Sequence, residues 1–147
     1  MTKFGARASL LIVLVSAALI SVSRGHSNFQ RSEIAANESA AVALLRTLST
    51  ACITYVSAYG GYPSQLADLG PGNPPSKNHA DLIDAVLASG KKSGYAFTYI
   101  RGTRDLNGKV APTFSFYADP IMENRTGTHH FYMDGERGTI YAMIGKP

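Results

Sequence analysis

Ile34-Ala35-Ala36-Asn37-Glu38-Ser39-Ala40-Ala41-Val42-Ala43-Leu44-Leu45-Arg46-Thr47-Leu48-Ser49-Thr50-Ala51-Cys52-Ile53-Thr54-Tyr55-Val56-Ser57-Ala58-Tyr59 runs directly into Gly60-Gly61. Within it, Ile34, Ala41, Leu45, Leu48, Cys52, Val56 and Tyr59 step by sevens, fours and threes, the spacing of one helical face. Val42 and Ile53 are expected to widen that face, while Glu33, Asn37, Glu38, Arg46, Ser49, Thr50 and Thr54 mostly lie off it. Alanine is frequent from Ala35 to Ala43, which favours helix and allows close approach of another backbone. Gly60-Gly61 supplies the left-handed stop. The spacing therefore predicts a long amphipathic helix whose apolar stripe needs a partner. Ile34, Leu45, Leu48, Cys52 and Val56 are the residues expected to form the core between that helix and its partner.

The partner is legible downstream. Pro63 to Gly70 reads as a short helical turn closed by glycine, and Pro71-Gly72-Asn73-Pro74-Pro75 as a rigid loop. A second helix is expected from an Asn78 cap, with Asp81 in its first turn, Leu82, Ile83, Val86 and Leu87 as its apolar face, and Gly90 at its end. Four strand-like runs follow: Tyr95 to Arg101, Thr113 to Asp119, His130 to Asp134 and Thr139 to Ile144. Asn107-Gly108 and Asp134-Gly135 suit tight turns between them. Strands that succeed one another with short links favour an antiparallel meander with one face buried. Laid over the second half of the helix, the sheet gives a two-layer α+β fold.

Upstream lies a basic, apolar segment. Lys3 and Arg7 precede an apolar run from Ala8 to Val22, and Ser23-Arg24-Gly25-His26-Ser27 interrupts it. By the positive-inside rule the rest of the chain belongs outside the cytosol. A run of about 15 residues covers only about 22 Å at 1.5 Å per residue, short of a hydrocarbon core of roughly 30 Å. Its length suits the apolar region of a signal peptide, with Ser21 and Ser23, or Ser23 and Gly25, as the small residues before the cut. Snorkelling of Arg7 and Arg24 to the two interfaces equally permits a short membrane span. Leu10, Leu11, Ile12, Val13, Leu14, Val15, Leu19, Ile20 and Val22 are the expected anchor residues.

Composition narrows the function. The chain has 147 residues and a net charge of +4, suited to one domain at the usual scale of about 100–200 residues each. No Lys/Arg run exceeds two, Lys91-Lys92 and Lys109 fall in loop-like sequence, and the aromatics alternate as in strands. A nucleic-acid surface needs clustered cations with stacking aromatics, so none is expected. Cys52 is the single cysteine, which excludes an intramolecular disulfide and places a small apolar residue on the helix stripe. No nucleophile elbow, phosphate loop or zinc-helix motif occurs. His129 and His130, adjacent on a strand, point to opposite faces and cannot chelate one metal together. Asp105-Leu106-Asn107-Gly108 lacks the distal glutamate of a calcium loop and reads as a turn. Asp119 and Glu123 offer another pair of loop acids, which ordinary solvation explains as well as cation binding does. No catalysis, metal or cofactor is expected.

Several stretches resemble type IV pilins and the pseudopilins of type II secretion. They are Asn28-Phe29 with Arg31, Ala35 to Val42, Leu45-Arg46-Thr47-Leu48, Tyr55 to Pro63 with Leu66 and Leu69-Gly70, Leu82-Ile83-Asp84, Val86 to Gly90, Lys92 to Tyr95, Phe97-Thr98-Tyr99, Ala118-Asp119-Pro120, Thr126-Gly127-Thr128 and Phe131. The likeness implies leader cleavage between Gly5 and Ala6. It also implies a leader and anchor over residues 1–25 and a pilin-like domain over 26–147, with a helical spine at about 28–59 and a head at about 60–147. The implied protein is a structural subunit held in the inner membrane by one helix, its head in the periplasm or outside the cell. Its implied partners are the membrane, other copies of itself or other pilin-like subunits. Two positions depart from the family: Leu10 stands where its acidic residue falls, and Ser27 where a proline is usual. Assembly would have to proceed without that carboxylate. The other class in play is a soluble periplasmic or secreted binding domain that kept the head behind an ordinary cleaved signal peptide.

Overall fold

A computed structural model describes the backbone of residues 3–104 and 110–145, and the side chains of residues 28–102 and 113–145. The chain divides into two units, Met1–Glu33 and Ile34–Pro147. Helix α1 is Lys3–Tyr59. Its portion Asn28–Tyr59 is long and apolar enough to cross a membrane by length and composition, with a window of mean hydropathy 1.4. A core helix meets the same criterion, and in this one Leu45, Leu48 and Cys52 are fully buried.

The buried stripe is Ala41, Leu45, Leu48, Ala51, Cys52 and Tyr55. Its phase differs slightly from the predicted one. Seven residues bring a helix within about 20° of its starting direction and eight overshoot by about 80°. Tyr55, seven after Leu48, is therefore buried, whereas Val56 is only half-buried. Ile53 lies about 140° from Leu48 by the same geometry and is 57% exposed, so it does not widen the apolar face. Ile34 is half-buried and outside the core cluster. It precedes Asn37 and Glu38, whose side chains bond to the far end of the chain. Burial also pushes the Cys52 thiol up to about 12, as suits a packing residue.

Gly60 ends α1 with a positive φ of 74° and an N–H bond to the Val56 carbonyl at 2.8 Å. The predicted turn follows as a 3-10 helix, Leu66–Leu69, capped by Gly70. Asp68, nearly buried, accepts from the Ser64 and Gln65 N–H groups at 2.8 and 3.2 Å. The expected helix from Asn78 does not form. Asp81 takes a positive φ of 55°, and the N–H groups of Leu82 and Ile83 bond to the Leu69 carbonyl instead of starting a turn. Helix α2 is only Ala85–Ala88, capped by Asp84, whose carboxylate accepts from the Leu87 N–H at 3.0 Å. Ile83 and Leu87 are buried, while Val86 is 57% exposed.

The sheet consists of β1 (Lys91–Lys92), β2 (Tyr95–Arg104), β3 (Val110–Pro120), β4 (His129–Asp134) and β5 (Thr139–Ile144). All pairings are antiparallel and the spatial order is β1-β2-β3-β4-β5. Lys91-Lys92, expected in a loop, instead forms the short first strand: Gly94 with a φ of 75° turns the chain back so that Lys92 pairs with Tyr95. The Asp105–Gly108 turn lies outside the described residues. At the β4–β5 hairpin the positive φ falls on Gly138 rather than Gly135. Gly135 instead approaches Phe114 closely and donates its N–H to the Phe114 carbonyl at 3.0 Å.

Alternation sorts the strands as expected. Tyr95, Phe97, Phe114, Phe116, Ala118, Phe131 and Met133 share the core with the stripe of α1. Each such large apolar side chain stabilises the fold by about 1.5–3 kcal/mol. On the other face Tyr117, Tyr132 and Tyr141 stand directly opposite one another across β3, β4 and β5. Their ring centroids lie 5.0 and 6.1 Å apart, cross-strand pairs that hold the register. The fold is thus α+β, a long N-terminal helix packed against a five-stranded antiparallel sheet, consistent with a pilin-like fold.

Candidate functional site

The expected processing pair Gly5 and Ala6 and the expected anchor residues Leu10, Leu11, Ile12, Val13, Leu14, Val15, Leu19, Ile20 and Val22 lie in the helical backbone of α1. Their side chains fall outside the described residues. Of the expected helix–sheet core, Leu45, Leu48 and Cys52 have no exposed surface, whereas Ile34 and Val56 are half-buried.

From Ser39 onward the helix has a second, open face. Ser39, Ala43, Arg46, Thr47, Thr50, Ile53, Thr54 and Ser57 are all exposed. Arg46, Thr47, Thr50, Ala51 and Thr54 join Leu82 in lining an open groove of about 350 Å³. The hydroxyls of Thr47, Thr50, Thr54 and Ser57 donate to carbonyls one turn back, at 3.0–3.2 Å. With those donors engaged by the helix itself, the groove offers methyl groups and one guanidinium. No base–nucleophile pair is among these lining residues.

Polar side chains gather instead where α1 meets the end of the sheet. Asn37 Nδ2 donates to the Thr126 carbonyl at 3.0 Å. Glu38 Oε1 accepts from the N–H groups of Thr128 and His129 at 2.8 and 3.1 Å, and lies 3.0 Å from His129 Nδ1. Partial burial pushes the Glu38 carboxyl up, but the Thr128 N–H and the bonds from His129 outweigh it and hold the group below its usual range. Tyr95, fully buried, donates its hydroxyl to the His129 carbonyl at 2.8 Å. Burial first, then the charges of Glu38, Glu123 and Asp119, drive its phenol well above the ordinary value, so it stays a donor.

The two histidines do point to opposite faces. His129 meets Glu38, whereas His130, 3% exposed, sits between Asp119 and Glu123. Asp119 and Glu123 are therefore not merely solvated acids: each contacts a ring nitrogen of His130, at 2.6 and 3.3 Å. Among the described residues no group of three or more His, Cys, Asp or Glu is arranged to hold a metal ion. The residues missed from sequence are Asn37, Glu38, Asp119 and Glu123. The helix–loop partners lie 89 to 91 residues apart, beyond any local pattern. The adjacent histidines following two nearby acids were the available signal.

The Glu38 geometry fixes a pH dependence. A carboxyl lowered by folding contributes stability that is full above its unfolded value of about 4.3 and is lost as the pH falls through the folded value. Glu38→Gln is expected to lower stability near neutral pH by about 1 kcal/mol. It should also flatten the acid limb, as read from urea midpoints across the acid range. An acid limb unchanged by the substitution would contradict the assignment.

Comparison of the chain with protein-family models, with curated proteins and with solved structures finds no match.

Proposed function

We propose that this chain is a structural subunit of the type IV pilin or type II secretion pseudopilin kind. Leu10 to Val22 anchor it in the inner membrane, and the α+β head stands outside the cytosol. The subunit works by assembly: its N-terminal helix packs against the helices of neighbouring copies or related subunits, and the head is displayed. The observation that carries this reading is the division of labour on α1. One stripe from Ala41 to Tyr55 is buried in the core, and the reverse face from Ala43 to Ser57 is open and, apart from Arg46 and Ile53, built of small or back-bonded side chains. Such a face lets another helix approach closely. Leu10 removes the family's acidic residue, so packing of side chains, not a carboxylate, has to set the subunit register.

A second reading is favoured by the separation of Ile34–Pro147 as a unit of its own. It makes the head a soluble periplasmic or secreted domain behind a cleaved signal peptide. The two differ in the mature N-terminus. Cell fractionation followed by intact mass and N-terminal sequencing is expected to give a membrane-associated chain beginning at Ala6. A soluble chain beginning near Arg24 or His26 would overturn the subunit proposal in favour of the second reading.

A further inference from the structure

We infer that His130 is a proton-controlled clasp. Doubly protonated, its ring ties the 121–128 loop to β3; on losing one proton it lets go of Glu123 and loosens the loop. The inference concerns the head alone and holds whether or not the chain assembles.

The geometry is that of a ring held from both sides. His130 Nδ1 lies 2.6 Å from Asp119 Oδ1 and Nε2 lies 3.3 Å from Glu123 Oε2, with the imidazole side chain only 4% exposed. Ionised carboxylates only accept hydrogen bonds, so both contacts are bonds only when both nitrogens carry hydrogen. A neutral ring has a single N–H, and one contact then becomes lone pair against lone pair. Which side yields follows from the surroundings. Asp119 belongs to a strand, pairs with Ala96 and makes the shorter contact; Glu123 is in the loop, is 52% exposed and makes the longer one. The remaining hydrogen therefore stays with Asp119, and Glu123 is released into water.

The charged and titratable surroundings leave these two acids as the partners of the ring. From β2 comes Tyr95, whose hydroxyl is engaged by the His129 carbonyl. From β5 comes Met143, directly opposite His130 and uncharged. From α1 comes Glu38, engaged by His129 and by the Thr128 N–H. Within the loop the remaining order comes from Met122 N–H to Thr126 Oγ1 at 3.0 Å and Asn124 N–H to the Gly127 carbonyl at 2.8 Å, while its two ends are held by Ile121 N–H to the Gly94 carbonyl at 2.9 Å and Thr128 N–H to Glu38 Oε1 at 2.8 Å. The same loop exposes Ile121 and Met122, each at 48%, and reaches α1 through Thr126 and Asn37. Proton loss at His130 thus changes how an exposed apolar pair is presented, while Thr126 and Thr128 keep the loop tied to α1.

Amide hydrogen exchange on the full chain in detergent micelles tests this. Residues 122–127 would be followed from about pH 5 to about pH 8, the span in which histidine side chains in general change charge, after correction for intrinsic exchange rates. Protection of the loop is expected to fall about tenfold through a single proton step, while amides of β2 and β3 keep theirs. His130→Gln should abolish the step and leave the loop weakly protected throughout. Glu123→Gln, which retains the Asp119–His130 contact, should abolish it too, and decides the matter if His130→Gln does not fold. Loop protection independent of pH in the unaltered chain, or a step that persists in the folded variants, would overturn the clasp.

Discussion

Leu48→Asp is expected to leave the chain unable to fold its head. Leu48 has no exposed surface and belongs to the cluster formed by the stripe of α1 and Phe97, Phe114, Phe116 and Phe131. A carboxylate there has no cation in that cluster, and the buried phenols of Tyr55 and Tyr95 already donate to backbone carbonyls, so the cost of burying it unpaired is several kcal/mol. The lost leucine adds about 2–5 kcal/mol. Domains of this size are stable by only about 5–15 kcal/mol, so the sum reaches the whole stability. Thr50→Asp, on the exposed face of the same helix, is the matched control. Its effect is expected to stay within about 0.5 kcal/mol. Circular dichroism and amide dispersion of the two variants would show one head unfolded and the other native. Equal loss of structure in both would mean that helix propensity, not packing against the sheet, holds α1.

Gly127→Ala is the second large effect, and it arises from space rather than charge. A Cβ at Gly127 would overlap the hydroxyl and ring of Tyr95. Tyr95 is fully buried, paired with Phe131 at a ring separation of 5.8 Å and tied to the His129 carbonyl, so it cannot swing aside. Forcing one methyl into such a packed site costs about 1–3 kcal/mol. The displacement also strains the Thr126 and Thr128 contacts to Asn37 and Glu38. Tyr95→Phe removes the colliding oxygen, so the double variant should be more stable than the sum of the two single effects. Strict additivity in thermal melts would show that the two residues do not meet.

Legibility in the chain divides along a physical line. Periodicity reports burial on a single element, and so the stripe of α1 and four of the strands can be read directly from residue spacing. Even there the helical phase drifts, which is why Tyr55 rather than Val56 is buried at the end of the stripe. Local cap signals are weaker than tertiary demand. Asn78 looks like a helix start, yet Leu69 offers its carbonyl to Leu82 and Ile83, and Asp81 turns left-handed instead. Lys91-Lys92 has no strand signature of its own and becomes β1 only because β2 presents an edge. The polar junction is hidden for a different reason. Glu38 and Asn37 sit off the apolar stripe by sequence, but they bond to residues about ninety positions away, and only the closed sheet brings these together.

The assembly proposal turns on whether neighbouring copies meet along the open face of α1. Ser39→Cys and Ala43→Cys place thiols on that face, while native Cys52 stays buried and, with its thiol pushed up to about 12, unreactive. Mild oxidation of membranes carrying each variant is the direct measurement. Disulfide-linked dimers from Ser39→Cys and Ala43→Cys, absent from the unaltered chain and from Gly138→Cys at the β4–β5 hairpin, are the predicted result. Monomers alone from both helix variants, at expression levels equal to the unaltered chain, would contradict the account.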